Sequence, residues 1–376
     1  MQTQIAMAGG GLASAITALR LLARPAPPRI HIFDPAPLDG RTWSFHQHDV
    51  SDDDRDWLDP AIAHEWLGQD VRFPAYRRQL RAGYATITPA RLRAALQHPC
   101  LTVHPARVDV LASDHLLLSE GTRVQADCVI DARGVQAHPA LDLAFQKFLG
   151  QEVELAAPHG LKRPIIMDAT VDQIDGYRFV YVLPFGATRL LIEDTRYSDT
   201  ADLPAEAVRR DIAAYAVTQG WHIHDIVAEE SGALPLMLGF DAARFWADAD
   251  LPRIGMRAAQ FHPVTGYSLP DAVRTSAVVE RHWAEGSANL AQAIRRDALA
   301  RTSGFYRLLN RMLFRAADPA QRRHVMQRFY RLPEPLIERF YAGRTTTADI
   351  ARILIGKPPV PLGRALRALP ERIPHV

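Results

Sequence analysis

Gln4-Ile5-Ala6-Met7-Ala8-Gly9-Gly10-Gly11-Leu12-Ala13-Ser14, completed by Ile30-His31-Ile32-Phe33-Asp34, is the stretch from which the fold is read. Residues 4–8 read as a short buried strand, the three glycines as a tight turn, and residues 12–23, rich in alanine and leucine, as a helix. Ile30 to Phe33 is a second strand ending at Asp34. Two short strands joined through a helix run parallel and buried, so the unit is βαβ and the chain is α/β. A turn free of side chains that leads into a helix presents unpaired N–H groups and the positive end of the helix dipole, which suits a dinucleotide pyrophosphate. Gly9 and Gly11 supply that turn, and Asp34 stands where an adenosine ribose is bound in this fingerprint. Ser14 replaces the third glycine of the pattern and is still small enough for close packing of helix on strand.

Outward from this unit, Cys128-Val129-Ile130 reads as another strand, ending in Asp131-Ala132-Arg133-Gly134, and residues 251–256 as a further one, both expected in the same sheet. Residues 163–171, 176–185 and 188–197 carry β-branched and aromatic side chains with Pro184 and Gly186 at a bend, the pattern of an antiparallel sheet with a hairpin. From about residue 286 the pattern is helical, with Pro333, Pro335, Pro358 and Pro359 as breakers. The expected organisation is a discontinuous Rossmann-like nucleotide domain (1–45, 90–150 and 245–300), an antiparallel-sheet substrate domain (46–89 and 151–244) and a helical region (301–376).

Composition narrows the partners. Of 376 residues, 48% are hydrophobic, enough for a substantial core, and 44 basic residues against 42 acidic ones leave no field for nucleic acid. Cys100 and Cys128 are too few to staple such a fold and read as inert buried thiols in a reducing compartment. The N-terminal Met1-Gln2-Thr3-Gln4 lacks a basic segment, and the apolar stretch after it runs at once into glycines. A cytoplasmic protein without a secretory signal is expected. No run approaches the roughly 18 to 20 apolar residues of a membrane span, so any membrane association must be lateral. No metal site is expected.

The first motif does not separate NAD from FAD. Farther on, Gly255-Met256-Arg257-Ala258 and Pro263-Val264-Thr265-Gly266-Tyr267 resemble the second cofactor motif of the FAD oxidoreductases related to the aromatic hydroxylases. That resemblance implies FAD, with Gly255, Pro263, Thr265 and Gly266 approaching the ribityl phosphate and the isoalloxazine ring. It also sets Val108 at the position that meets adenine through its backbone, and Gly134 at the glycine after the middle strand. No second glycine fingerprint serves NAD(P)H, so such a reductant either visits transiently or the flavin is reduced elsewhere.

Thr42-Trp43-Ser44-Phe45-His46, Val71-Arg72-Phe73-Pro74, Gly83-Tyr84, Ile165-Ile166-Met167-Asp168-Ala169-Thr170-Val171, Gly176-Tyr177-Arg178-Phe179-Val180-Tyr181 and Leu190-Leu191-Ile192-Glu193-Asp194-Thr195 then resemble the FAD-dependent lycopene cyclases of bacteria. Phe261-His262-Pro263, Thr265 to Pro270 and residues 306–341 continue the resemblance over nearly the whole chain. It implies a non-redox enzyme that requires reduced FAD and acts on both ψ ends of lycopene, by way of γ-carotene, to give β-carotene.

The chemistry of that reaction sets demands. A proton goes to C2 of the terminal alkene, the tertiary cation at C1 is attacked by C5=C6, and loss of the C6 proton leaves the β ring. The site needs a carboxylic acid kept protonated by apolar surroundings, groups that stabilise a cation, and a base. Glu193, directly after Leu190-Leu191-Ile192 in an expected strand, meets the first demand by desolvation, and in the similar cyclases an acidic motif at this position is held to be catalytic. Asp194 shares the motif but should point to the opposite face. Asp168, after the apolar Ile165 to Met167, is a second candidate for stabilising the cation or relaying a proton. Reduced FAD either stabilises the cation or donates the proton. The aromatic residues 177, 179 and 181 fit either a polyene tunnel or ordinary core packing.

Lycopene resides in the bilayer, so the site must open toward lipid. Residues 301–330 carry seven arginines and one acid among apolar side chains, with Arg307, Arg311 and Arg315 four apart, the expected form of a helix lying on the inner face of the cell membrane. Two other readings share parts of the pattern. An FAD-dependent monooxygenase of the aromatic-hydroxylase type would consume NADPH and oxygen in step with product. A non-catalytic prenyl or carotenoid carrier would purify colourless and leave lycopene unchanged.

Overall fold

The computed structural model describes residues 3–38, 41–247, 249–301, 303–355, 360–371 and 373. Pro358 and Pro359, expected as helix breakers, lie outside them. Thr3–Ala8 is an inner strand of a six-stranded sheet, parallel to Ile30–Phe33 on one side and Arg123–Asp131 on the other. Leu101–His104 extends the parallel part, and His115–Leu118 with Val108–Leu111 closes the other edge as an antiparallel pair. The helix Leu12–Leu22 lies on this sheet and against the helix Leu269–His282. Its buried Ser14, Ala15 and Ala18 keep the helix surface low, which permits that close approach.

Residues 251–256 do not form the strand expected of them. Pro252 has no N–H to give a ladder and Gly255 turns the chain at φ 61°, so the contact reduces to one parallel bridge between Asp131 and Arg253. Gly255–Ala258 is a single 3-10 turn instead.

A seven-stranded sheet holds, in spatial order, Ile223–Phe240, Leu141–Leu155, Arg189–Ser198, Tyr177–Pro184, Ile165–Asp168, Gln69–Phe73 and Tyr76–Leu80. The expected hairpin is present, with Tyr181 opposite Glu193. One pairing departs from the antiparallel expectation: Ile165–Asp168 runs parallel to Gln69–Phe73. Leu141–Leu155 also crosses the division expected at residue 150. Trp43–His46, Tyr84–Ile87 and His64–Trp66 form a small third sheet.

Helices begin at Leu269, earlier than expected, and those after residue 304 pack Leu313, Phe314 and Tyr330 onto Tyr177, Phe179 and Tyr197 of the large sheet. The basic stripe therefore needs correction. Arg307 and Arg311 on Gly304–Arg311 are buried: Arg307 donates to Glu371, and Arg311 donates to the carbonyls of Leu238, Ala368 and Leu369. Arg315 remains exposed but pairs with Asp142. A spacing of four shows which residues share a helix face, and at Arg307 and Arg311 this face looks inward. The exposed apolar residues lie farther on, at Leu354, Ile355, Leu362, Leu366 and Leu369.

Candidate active site

The glycine turn is shaped by what surrounds it. Gly9 has φ 103°, and a Cβ there would stand 2.3 Å from the Ala132 carbonyl oxygen, so the crossing of turn and neighbouring strand admits no side chain. The Ser14 hydroxyl donates to the Gly9 carbonyl at 2.6 Å. Asp34 accepts from Gly10 N–H at 2.7 Å and from Ala36 N–H at 2.8 Å, so its carboxylate braces the turn. Gly11 caps the helix Leu12–Leu22, and a Cβ on it would meet nothing within 4 Å. Free helical N–H groups thus face open space, the arrangement that receives an anion.

That space belongs to a cavity of about 590 Å³. Gly10, Gly11 and Asp34 line it, as do Gly134, Gly255 and Gly266, so five of the ten expected cofactor residues converge here from widely separated parts of the chain. Gly255 seats the second motif against the first: a Cβ on it would fall 2.5 Å from Ala13 Cβ. Tyr267, Ser268 and Leu269 bring a second helix start, that of Leu269–His282, to the same wall.

Five expected cofactor residues are not among those lining the cavity, and each has a structural task. Gly9 and Ser14 form the turn from behind. Val108 is buried against Ala6, Ala8 and Phe33 on the far face of the sheet. The Pro263 carbonyl accepts from Met237 N–H and the Asn310 amide, and the Thr265 hydroxyl accepts from Tyr267 N–H at 3.3 Å, which fixes the shape of the second turn.

Glu193 reaches this cavity and is only 9% exposed. Burial raises its pKa to about 8, the nearby Glu230 charge adds to the rise, and the Thr195 hydroxyl, donating at 2.6 Å, opposes it. The hydroxyl of its strand partner Tyr181 is hydrogen-bonded to the Ser44 hydroxyl at 2.8 Å and to the Tyr84 hydroxyl at 3.1 Å, donating one bond and accepting the other, while Tyr84 and Tyr267 hydroxyls meet at 3.3 Å. Burial pushes all three phenols well above their ordinary range, so they are neutral. Tyr181 alone of the 177, 179 and 181 series lines the cavity; Tyr177 and Phe179 are core.

The other two expected acids do not line this cavity. Asp194 points to the opposite face, as strand alternation requires, and is enclosed by Arg178 at 2.7 Å and Arg196 at 3.0 Å. Asp168 is buried away from the cavity, accepting from the Thr170 hydroxyl at 2.6 Å, from Tyr215 at 3.0 Å and from Arg72 at 3.5 Å. Both carboxylates are saturated by donors, which suits structural anchors rather than proton donors. Sequence reasoning missed Glu230, which lines the cavity, accepts from Thr42 N–H at 2.6 Å and has its pKa raised by burial to about 7. Thr42 and Ser44 were visible only as parts of a resembling block.

Comparison with known proteins bears on the family and the fold. The family model described as "Lycopene cyclase protein" matches residues 4–367. The chain is 47% identical to the lycopene beta-cyclase of Pantoea ananas over 370 residues, covering 96% of this chain and 97% of that one. It is also 47% identical to the lycopene beta-cyclase of a Paracoccus strain, with 99% and 98% covered. Among solved structures, a flavin-dependent brominase superposes with a TM-score of 0.60 at 12% identity, covering 91% of this chain and 94% of that one. A probable FAD-dependent monooxygenase from Pseudomonas aeruginosa gives 0.56 at 16%, with 86% and 99% covered. At such identities the likeness is one of fold: a Rossmann-like FAD-binding architecture of the aromatic-hydroxylase type, with an added sheet and a helical C-terminal region.

Proposed function

The chain belongs to the lycopene cyclase family, and from that premise we propose that it is a lycopene β-cyclase that closes both ψ ends of lycopene, through γ-carotene, without net oxidation. The observation that carries the reading is a buried carboxyl group, Glu193, that holds its proton at neutral pH inside the cavity shared by both glycine motifs. Glu193 gives that proton to C2 of the substrate. The neutral phenols of Tyr181, Tyr84 and Tyr267 offer the developing cation π-rich walls that carry no charge of their own.

The residues present fit FAD. Gly10, Gly11 and the start of Leu12–Leu22 would hold the pyrophosphate, Asp34 the ribose, and Gly255, Gly266 and the start of Leu269–His282 the flavin end. Bound in its reduced form, FAD would supply electron-rich, negatively charged surface able to stabilise a cation. We assign its reduction to NAD(P)H arriving transiently, since the glycine fingerprint at Gly9–Gly11 would be taken by FAD itself. The six-stranded sheet with its helices is read as the cofactor half, and the seven-stranded sheet as the substrate half.

Among the described residues no helix is long and apolar enough to cross a membrane. Docking on the inner membrane surface is assigned to the exposed leucines of the C-terminal helices, beside Arg364 and Arg367. The decisive experiment is anaerobic incubation with lycopene-loaded liposomes and reduced FAD, with chromatography of the carotenoids. Wild type should give γ-carotene and then β-carotene, and Glu193→Gln neither. Untouched lycopene with the wild type, or conversion only with consumption of oxygen, would refute the reading.

A further inference from the structure

Ring closure needs a proton acceptor as well as a donor, and the cavity contains a second buried carboxyl group. Glu230 stands on Ile223–Phe240, and Leu141–Leu155 separates that strand from Arg189–Ser198. One residue of the middle strand, Gly150, is the register partner of both Glu193 and Glu230. Directly paired residues share a sheet face, so the two glutamates rise from the same side with their Cα atoms about 10 Å apart, two strand spacings. Between them stands a residue without a side chain. A Cβ on Gly150 would lie 3.2 Å from Leu191 Cδ1 and 3.4 Å from both Glu193 Cβ and Glu230 Cγ, so the glycine forms a floor with a glutamate on either side and Leu191 against it.

On the reading of the preceding section, we propose that Glu230 is the base of ring closure, taking the C6 proton across the Gly150 floor from the acid Glu193. The atoms to be served, C2 and C6, are separated by a single ring carbon, so donor and acceptor must flank one ring. The bonds balance as follows. The Glu193 O–H bond breaks as C2–H forms; the C5=C6 electrons make C1–C6 and leave the charge at C5; C6–H breaks, its electron pair restores C5=C6, and the proton goes to Glu230. A proton then returns from Glu230 to Glu193 through solvent, and nothing is oxidised or reduced. Glu230 is oriented for this by Thr42 N–H. Burial raises its pKa to about 7 while Arg41 opposes the rise, so it exchanges protons near neutrality, and its charge helps Glu193 retain its own.

A C5 cation can lose a proton from C6, from C4 or from its methyl group, and the choice reports the base. Glu230→Gln, Glu230→Asp, Glu193→Gln and wild type should be compared for lycopene consumption, ring double-bond position by NMR, and FAD affinity by flavin fluorescence. Glu230→Gln is expected to bind FAD as wild type does, to turn over about 10²- to 10⁴-fold more slowly, and to release rings whose double bond lies at C4 or outside the ring. Glu230→Asp should recover β rings. The proposal is overturned if Glu230→Gln makes only β rings at near the wild-type rate, if it loses FAD, or if activity lost in it is not recovered by Glu230→Asp. Failure of the underlying reading looks different: wild type leaves lycopene acyclic, or Glu193→Gln still cyclises it.

Discussion

Glu193 holds its proton up to about 8 because burial, and secondarily the charge of Glu230, disfavour its anion. A carboxyl group whose pKa is raised on folding stabilises the native state below its unfolded pKa, and that contribution is lost as pH rises through the folded value. Glu193→Gln cannot ionise, so its melting temperature relative to wild type should climb between about pH 4.5 and pH 8 and level off above that. Turnover by the wild type should fall as pH rises through about 8 and the donor is lost. The residue was legible because a glutamate follows three apolar positions in an expected strand and stands at the acidic motif of the resembling cyclases, and the opposite orientation of Asp194 followed from the two-residue period. Asp168 has the same local pattern but is covered by Tyr215 and Arg72, from distant parts of the chain. Glu230 gave no distinctive signal: Ile226-Val227-Ala228 precede Glu229-Glu230 much as apolar residues precede Glu193, and only the pairing of both strands with Leu141–Leu155 brings Glu230 to the cavity.

At the scale of elements, the βαβ unit was readable because strand, turn and helix are each fixed by short-range chemistry. The strand expected at 251–256 failed on Pro252, a residue whose missing donor outweighs its apolar neighbours. The arginines of Gly304–Arg311 show a different limit: periodicity defines a face, and only tertiary packing decides what it meets. Arg311 satisfies three carbonyls that close the C-terminal segment onto Leu238. Arg311→Leu should therefore cost about 2–3 kcal/mol, since it orphans buried acceptors and Glu371. Arg315→Ala, exposed beside Asp142, should change stability by less than about 1 kcal/mol. Chemical denaturation of the two variants checks the contrast.

For the whole molecule, the membrane surface follows from what is left uncovered. Leu362 and Leu366, one helical turn apart, are 67% and 66% exposed, on a helix that docks through Ala365 and Ala368. The double change Leu362→Ser and Leu366→Ser should reduce sedimentation with anionic liposomes severalfold while leaving the melting temperature nearly unchanged, because neither side chain is packed. Sedimentation equal to wild type would remove this surface from consideration. The architecture of two large sheets was only partly visible beforehand, because its longest strands, Leu141–Leu155 and Ile223–Phe240, mix apolar, charged and exposed positions without one clean period.

Those two strands have a mechanical consequence. Near one end Leu141 and Met237 belong to the core around the nucleotide fold, and toward the other Leu149, Val153 and Leu155 belong to the core beneath the large sheet. The pair acts as a beam embedded at both ends, and it denies the halves any hinge between them. Heating should accordingly produce one cooperative calorimetric peak, and ring closure must proceed on a stiff frame whose acid is set by the scaffold before the polyene arrives.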